Sequence, residues 1–208
     1  MIAYEQKLNA DRRWAFEEGG MHFERESAVH KTLTKLAARL DDLGIPYAIA
    51  GGMALFFHGY RRFTEDIDVV VTADDLKRIH EELEGRGYVP VFAGSKNLRD
   101  TEHGVRIEFL VTGQFPGDGL PKPVAFPNPA EKQTVIESAR FVPLETLIEM
   151  KLASGITSPR RIRDLSDVQE VIAAMSLDDK FAERLDPYVR EKYLELWRAV
   201  RDDPNPEP

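Results

Sequence analysis

Ala50-Gly51-Gly52-Met53-Ala54, followed by Thr64-Glu65-Asp66-Ile67-Asp68-Val69-Val70-Val71, joins a glycine turn to two carboxylates that alternate along an apolar strand. Successive side chains of a strand point to opposite faces, so Ile67, Val69 and Val71 pack inward while Asp66 and Asp68 stand side by side on the other face. Two adjacent carboxylates repel one another and need a cation or a shared proton. Hard oxygen ligands of this kind suit Mg²⁺. The double glycine permits close backbone approach, and it leads into a short helix predicted from Met53 to Gly59, whose N-terminal N–H groups attract phosphate. The plainer reading of Asp66 and Asp68, as the solvated face of a half-buried strand, stays open at this point.

The same alternation recurs in Val105-Arg106-Ile107-Glu108-Phe109-Leu110-Val111. Val105, Ile107, Phe109 and Val111 form one face and leave Glu108 on the other with Arg106 and Leu110. If the two strands lie side by side, three acids converge. Such a trio can hold two divalent ions about 4 Å apart, the arrangement that stabilises both the attacking and the leaving oxygen in phosphoryl or nucleotidyl transfer.

Around these motifs the pattern is that of an ordinary soluble chain. With 208 residues, 42% hydrophobic and 31% charged, it can bury one good core and a helical appendage. No apolar run approaches the roughly 20 residues of a membrane span. The start, Met1-Ile2-Ala3-Tyr4-Glu5-Gln6-Lys7, lacks the apolar stretch of a signal peptide, so the cytoplasm is the expected compartment. Cysteine is absent, which excludes disulfides, thiolate metal sites and cysteine nucleophiles. A net charge of −8 argues against broad nonspecific nucleic-acid binding while leaving room for a local basic patch. His58 and His103 have no spacing that suggests zinc, and His58 is expected to pack on its short helix.

The first 24 residues, mixed in charge and containing Gly19-Gly20, read as an N-terminal extension. From Ser27, a suitable N-cap, Val29, Leu33, Leu36, Leu40 and Leu43 recur at helical spacing up to Gly44, which sits where a C-terminal cap belongs. Tyr47–Ala50 reads as the first strand. Thr72-Ala73-Asp74-Asp75 opens a helix carrying Leu76, Ile79 and Leu83, closed by Gly85 to Gly87. The Gly/Pro-rich run from Gly113 to Pro129 is too irregular for regular structure and long enough to be a functional loop. Expected boundaries are an extension over 1–24, a core over 25–142, a helical subdomain over 143–200 and a tail over 201–208.

Beyond Pro143, the spacing of Leu144, Leu147, Ile148, Lys151 and Leu152 puts Lys151 on an apolar helical face, where it needs an anion or must snorkel to the surface. Ser158-Pro159 is expected to open the next helix with a cap and a first-turn proline. Arg160, Arg161 and Arg163 crowd its positive end against the helix dipole, which a nearby anionic partner would explain. Arg163 has an alternative partner in Asp167, one helical turn away.

Taken in order, the double glycine, the short helix, Asp66-Ile67-Asp68 on a strand and an isolated Glu108 look like the nucleotidyltransferase fold of the DNA polymerase beta superfamily. Gly51-Gly52-Met53-Ala54 to Gly59-Tyr60-Arg61-Arg62-Phe63-Thr64-Glu65-Asp66-Ile67-Asp68 is most similar to its AbiEii-type branch of abortive-infection and toxin–antitoxin nucleotidyltransferases. The smaller MNT-type enzymes carry Gly-Ser and a nearby Ala-Arg-Gly, which this chain lacks. The resemblance covers roughly residues 45 to 172. It implies an α/β (α+β) fold with a small mixed sheet flanked by helices and a C-terminal helical subdomain. It also implies transfer of a nucleoside monophosphate from a nucleoside triphosphate to an acceptor hydroxyl. Asp66, Asp68 and Glu108 would be catalytic and would bind two Mg²⁺ ions, or Mn²⁺ in their place; Gly51, Gly52, Arg62, Thr64, Lys151 and Asp164 would bind the nucleotide. The implied acceptor is tRNA or another RNA end, with a protein or a small molecule as the other options, and a cognate toxin or antitoxin is the implied partner. A noncatalytic module that kept the fold for partner binding is the alternative.

Overall fold

The alternation in the two acid-bearing stretches is realised as β2 (Asp66–Val71) and β5 (Arg106–Val111), parallel neighbours at the centre of a seven-stranded mixed sheet. The structure, a computed structural model describing residues 2–202, orders that sheet β3-β4-β5-β2-β1-β7-β6. Here β1 is Ala48–Ala50, β3 Tyr88–Pro90, β4 Leu98–Asp100, β6 Thr134–Ile136 and β7 Ala139–Phe141. β1 runs antiparallel to β2 and parallel to β7. Ile67, Val69, Ile107 and Phe109 are fully buried while Asp66, Asp68, Arg106 and Glu108 remain part-exposed, as the period of two demands.

Two N-terminal helices, α1 (Tyr4–Ala10) and α2 (Arg12–Phe23), precede α3 (Ala28–Asp42), whose Val29, Leu33, Leu36 and Leu40 enter the core. Ser27 caps α3 by accepting from the His30 N–H, and Gly44, at φ +62°, ends it. α4 (Gly51–His58) follows β1 directly, and α5 (Ala73–Leu83) is capped by Thr72, whose hydroxyl accepts from the Asp75 N–H at 3.1 Å. α6 (Leu144–Thr157), α7 (Ile162–Ala174) and α8 (Pro187–Arg201) pack on one another, and α6 also packs on α4. The run from Gly113 to Pro129 holds no helix or strand. The tail expected over 201–208 lies, from residue 203, outside the described residues.

Residues 2–24 are docked. The Tyr4 N–H donates to the Gly104 carbonyl at 3.0 Å, its hydroxyl donates to Glu18 at 2.9 Å, and Arg99 of β4 grips Glu5 through both terminal nitrogens at 2.8 and 2.7 Å. Behind α2, the rings of His22 and His30 lie 4.8 Å apart among Phe56 and Phe63. His22 Nε2 is 3.1 Å from the Arg62 carbonyl, and Ser27 Oγ is 2.9 Å from His30 Nδ1. His58, half-buried on α4, bonds the Val142 carbonyl through Nε2 at 2.8 Å.

Burial, with the charges of His22 and Arg25 adding to it, pushes His30 down to about 4. A histidine depressed in the folded state contributes stability that is intact above its unfolded value near 6.5 and is lost as pH falls toward 4. His30→Phe should therefore flatten the acid limb of the stability profile, recovering up to about 2 kcal/mol at pH 4.5 after allowance for solvent screening. Denaturant titrations at pH 7.5 and 4.5 check this; the same pH slope in parent and variant would remove His30 from the account.

Candidate active site

The parallel register sets Asp66 beside Arg106 and Asp68 beside Glu108. On its other side Asp68 pairs with Ala50, the last residue before α4, so its carboxylate stands over the first turn of that helix. Gly51, at φ +59°, makes this approach tolerable, because a Cβ there would sit 1.8 Å from Asp68 Oδ2. A Cβ on Gly52 would meet Thr64 Oγ1 at 2.8 Å. Both glycines are thus fixed by what faces them. Gly51→Ala should displace Asp68 and lower nucleotide affinity by at least tenfold, since a strained φ and a clash coincide; calorimetric affinity equal to the parent would show that the turn absorbs a methyl group.

Burial comes first, and the charges of Asp66 and Glu108 second, in raising the Asp68 carboxyl to about 7, against the opposing charges of Lys151 and Arg161. A carboxylate so placed is poised to gain from a divalent cation. The donor set, three carboxylates with no nitrogen or sulfur, fits Mg²⁺ or Mn²⁺. Thr64 donates to Asp66 Oδ1 at 3.1 Å and so orients it.

Facing the acids across a cleft of about 380 Å³ is α6, with Lys151 and Ser154. Lys151 is 7% exposed and its anion is supplied from within the protein: Nζ donates to Asp164 at 2.9 Å and to Asp167 at 2.7 Å. Arg62 reaches the same Asp167, with Nη2 donating at 2.9 Å and Nε 2.8 Å from Oδ1 as an ion pair without a directed hydrogen bond. Burial would raise Asp164, but the Lys151 charge, hydrogen bonds from Lys151 and Ser154, and the Arg161 charge outweigh it and hold the carboxyl below its ordinary value.

Every residue assigned to the site from the sequence lines this one cleft: Asp66, Asp68 and Glu108 on the sheet, Gly51 and Gly52 at the turn, Arg62 and Thr64 before β2, and Lys151 and Asp164 on the helices. Arg160, Arg161 and Arg163 stand at its rim. Two local expectations are corrected. The Asp167 carboxylate is taken by Arg62 and Lys151, which approach it from the buried side, so no ion pair forms with Arg163. Ser158 provides no side-chain cap; a 3₁₀ turn over Pro159–Arg161 intervenes before α7, and Asp178 and Asp186 cap the later helical segments instead. Sequence reasoning passed over Arg106, although its place two residues before Glu108 on the same strand face was a usable signal.

Among the described residues, Asp100, Glu102 and His103 are the group whose metal-ligating atoms already lie within 4.8 Å of one another. The Lys35 ammonium sits on that group, 2.8 Å from Asp100 and 3.1 Å from Glu102, and supplies its positive charge.

Two solved structures share this architecture at low sequence identity. The fold resembles that of ANT(2″)-Ia in complex with adenylyl-2″-tobramycin, at a TM-score of 0.50 and 16% identity over 82% of this chain and 95% of that one. It also resembles an antigenic nucleotidyltransferase-like protein from Paracoccidioides brasiliensis, at a TM-score of 0.52 and 20% identity over 84% and 88% of the two chains. The chain belongs to the AbiEii family, described as the nucleotidyl transferase AbiEii toxin of type IV toxin–antitoxin systems, whose model matches residues 35–207. Compared by sequence with curated proteins it matches none. Membership of this family makes the chain an enzyme of the nucleotidyltransferase class, which transfers nucleoside monophosphates. The matched span begins inside α3, so α1 and α2 lie outside it. Among the described residues no helix is long and apolar enough to cross a membrane.

Proposed function

We propose that this chain moves a nucleoside monophosphate from a nucleoside triphosphate to a hydroxyl at an RNA end, tRNA included, using Mg²⁺ held by Asp66, Asp68 and Glu108. The observation that carries the reading is the register pairing Asp68 with Glu108, beside a glycine turn that only a residue without a side chain can make. A divalent ion held there would neutralise the triphosphate and favour the ionised acceptor hydroxyl. The N–H groups at the start of α4, with Gly51 and Gly52, cradle the phosphates. Thr64 orients Asp66, and Glu108 lies beside the acceptor to help take its proton. The acceptor oxygen forms a bond to the α-phosphorus while the bond to the bridging oxygen breaks and pyrophosphate leaves.

Three exposed arginines along the cleft support an RNA acceptor, because they offer contacts to the phosphates of a bound strand. The family description supports a toxin–antitoxin setting with a cognate antitoxin as partner. The protein incubated with each labelled nucleoside triphosphate, Mg²⁺, total RNA and lysate should label RNA. Acceptor affinity should fall with salt, and the slope should be shallower by up to about three when Arg160, Arg161 and Arg163 are all changed to Glu. Label confined to protein or to a small hydroxylated molecule, with an unchanged salt slope, would reject RNA.

A further inference from the structure

One guanidinium nitrogen stands inside the acidic trio. Arg106 Nη2 lies 2.7 Å from Glu108 Oε1 and 3.1 Å from Asp66 Oδ2, so it spans the diagonal between two neighbouring strands. The Arg106 side chain lines the cleft and is 39% exposed, which leaves it room to move. Asp68 makes no such ion pair among the described residues, and the three acids are not drawn together as tightly as Asp100, Glu102 and His103. Two of the three carboxylates are thus gathered around a charge that the protein carries itself. A guanidinium and a divalent ion cannot share one gap, since like charges a few ångströms apart in a half-buried site repel by several kcal/mol.

We propose that Arg106 is a positioning residue that holds the Asp66 and Glu108 carboxylates in place before metal arrives, and that it must release Asp66 for a divalent ion to be held by all three acids. The inference rests on the reading of the acids as metal ligands. It makes metal binding by the protein alone a competition with its own side chain. Metal should bind better together with the triphosphate, whose negative charge offsets the cation crowded against Arg106. Glu5 of α1 is near enough for its charge to act on Arg106.

The test titrates Mn²⁺ alone into parent, Arg106→Gln and Arg106→Lys by electron paramagnetic resonance, and compares melting temperatures in EDTA and in saturating Mn²⁺. Arg106→Gln should bind Mn²⁺ about tenfold tighter than the parent, melt lower in EDTA, and gain more from Mn²⁺. Arg106→Lys keeps the charge without the fork and should fall between the two. Should Arg106→Gln not fold, an Arg106→Lys affinity above the parent's still supports the inference, and an equal one overturns it. Equal or weaker Mn²⁺ binding by Arg106→Gln also overturns it. Asp68→Asn separates the two readings. A parent that binds Mn²⁺ neither alone nor with nucleotide, and so does not differ from Asp68→Asn, refutes the metal site itself and with it this role of Arg106.

Discussion

Asp68→Asn should abolish nucleotide transfer and at the same time make the metal-free protein harder to unfold at pH 8. Asn keeps the shape that Gly51 accommodates but removes the charge, so the turn survives while the proposed metal ligand is lost. Residues that act as one site are not additive: any single change among Asp66, Asp68 and Glu108 should cost about three orders of magnitude in turnover, nearly as much as all three together. The stability effect follows from the Asp68 carboxyl at about 7 in the folded protein, set against roughly 3.9 when unfolded. Between those values the folded state binds more protons, so stability declines as pH rises from about 4 to 7, and the ionised side chain is a burden above that. Removing it should recover on the order of 1–3 kcal/mol, several degrees of melting temperature in a chain of this size. Mg²⁺ should then raise the melting temperature of the parent only. Asp68→Asn with parental turnover would refute the mechanism, and a variant that melts lower at pH 8 without metal would refute the electrostatic account.

Asp167→Ala should be among the most destabilising single changes in the protein, because it strips a buried lysine and a part-buried arginine of their shared counter-ion. Arg62 comes from the segment before β2 and Lys151 from α6, and both terminate on this one carboxylate, which is 3% exposed. Breaking a buried pair by removing one partner costs roughly 3–5 kcal/mol; Lys151 keeps Asp164, so the charge left uncompensated is that of Arg62 and the loss falls at the lower end. Lys151→Met should be milder, since Asp167 keeps Arg62 and Asp164 keeps Ser154. Its mark should fall on nucleotide affinity, about tenfold, as expected of a lost charge in the cleft. Denaturant midpoints give the first comparison and calorimetry the second. A loss below about 1 kcal/mol for Asp167→Ala would mean that water screens these pairs as it does on a surface.

The acid-bearing strands were readable because period-two alternation is a local signal, and so was the Thr72 cap. α2 was not, since Gly19-Gly20 weakens it as an isolated helix and its buried polar residues are satisfied from afar: Glu18 by Tyr4 and the Ala28 N–H, His22 by the Arg62 carbonyl. β4 hid for a similar reason. Arg99 and Asp100 look like solvent-facing charges until Glu5 and Lys35 close on them across long stretches of chain. The same effect misled the expectation for Asp167, whose neighbour one turn away in sequence was a weaker partner than an arginine 105 positions distant. At the site, residue types and order were legible. The way Arg106 threads between the acids depends on strand register, which sequence spacing does not fix.

The parallel pairing of β2 with β5 also sets a clock during synthesis. α5, β3 and β4 must all be translated between the two strands before Glu108 can meet Asp68, and Lys151 and Asp164 follow later still. At 5–20 residues per second, the ribosome takes roughly two to eight seconds to pass from Asp68 to Glu108. A nascent chain halted in that interval carries two aspartates and no third acid. If the trio is the catalytic set proposed above, the unfinished chain cannot yet transfer a nucleotide.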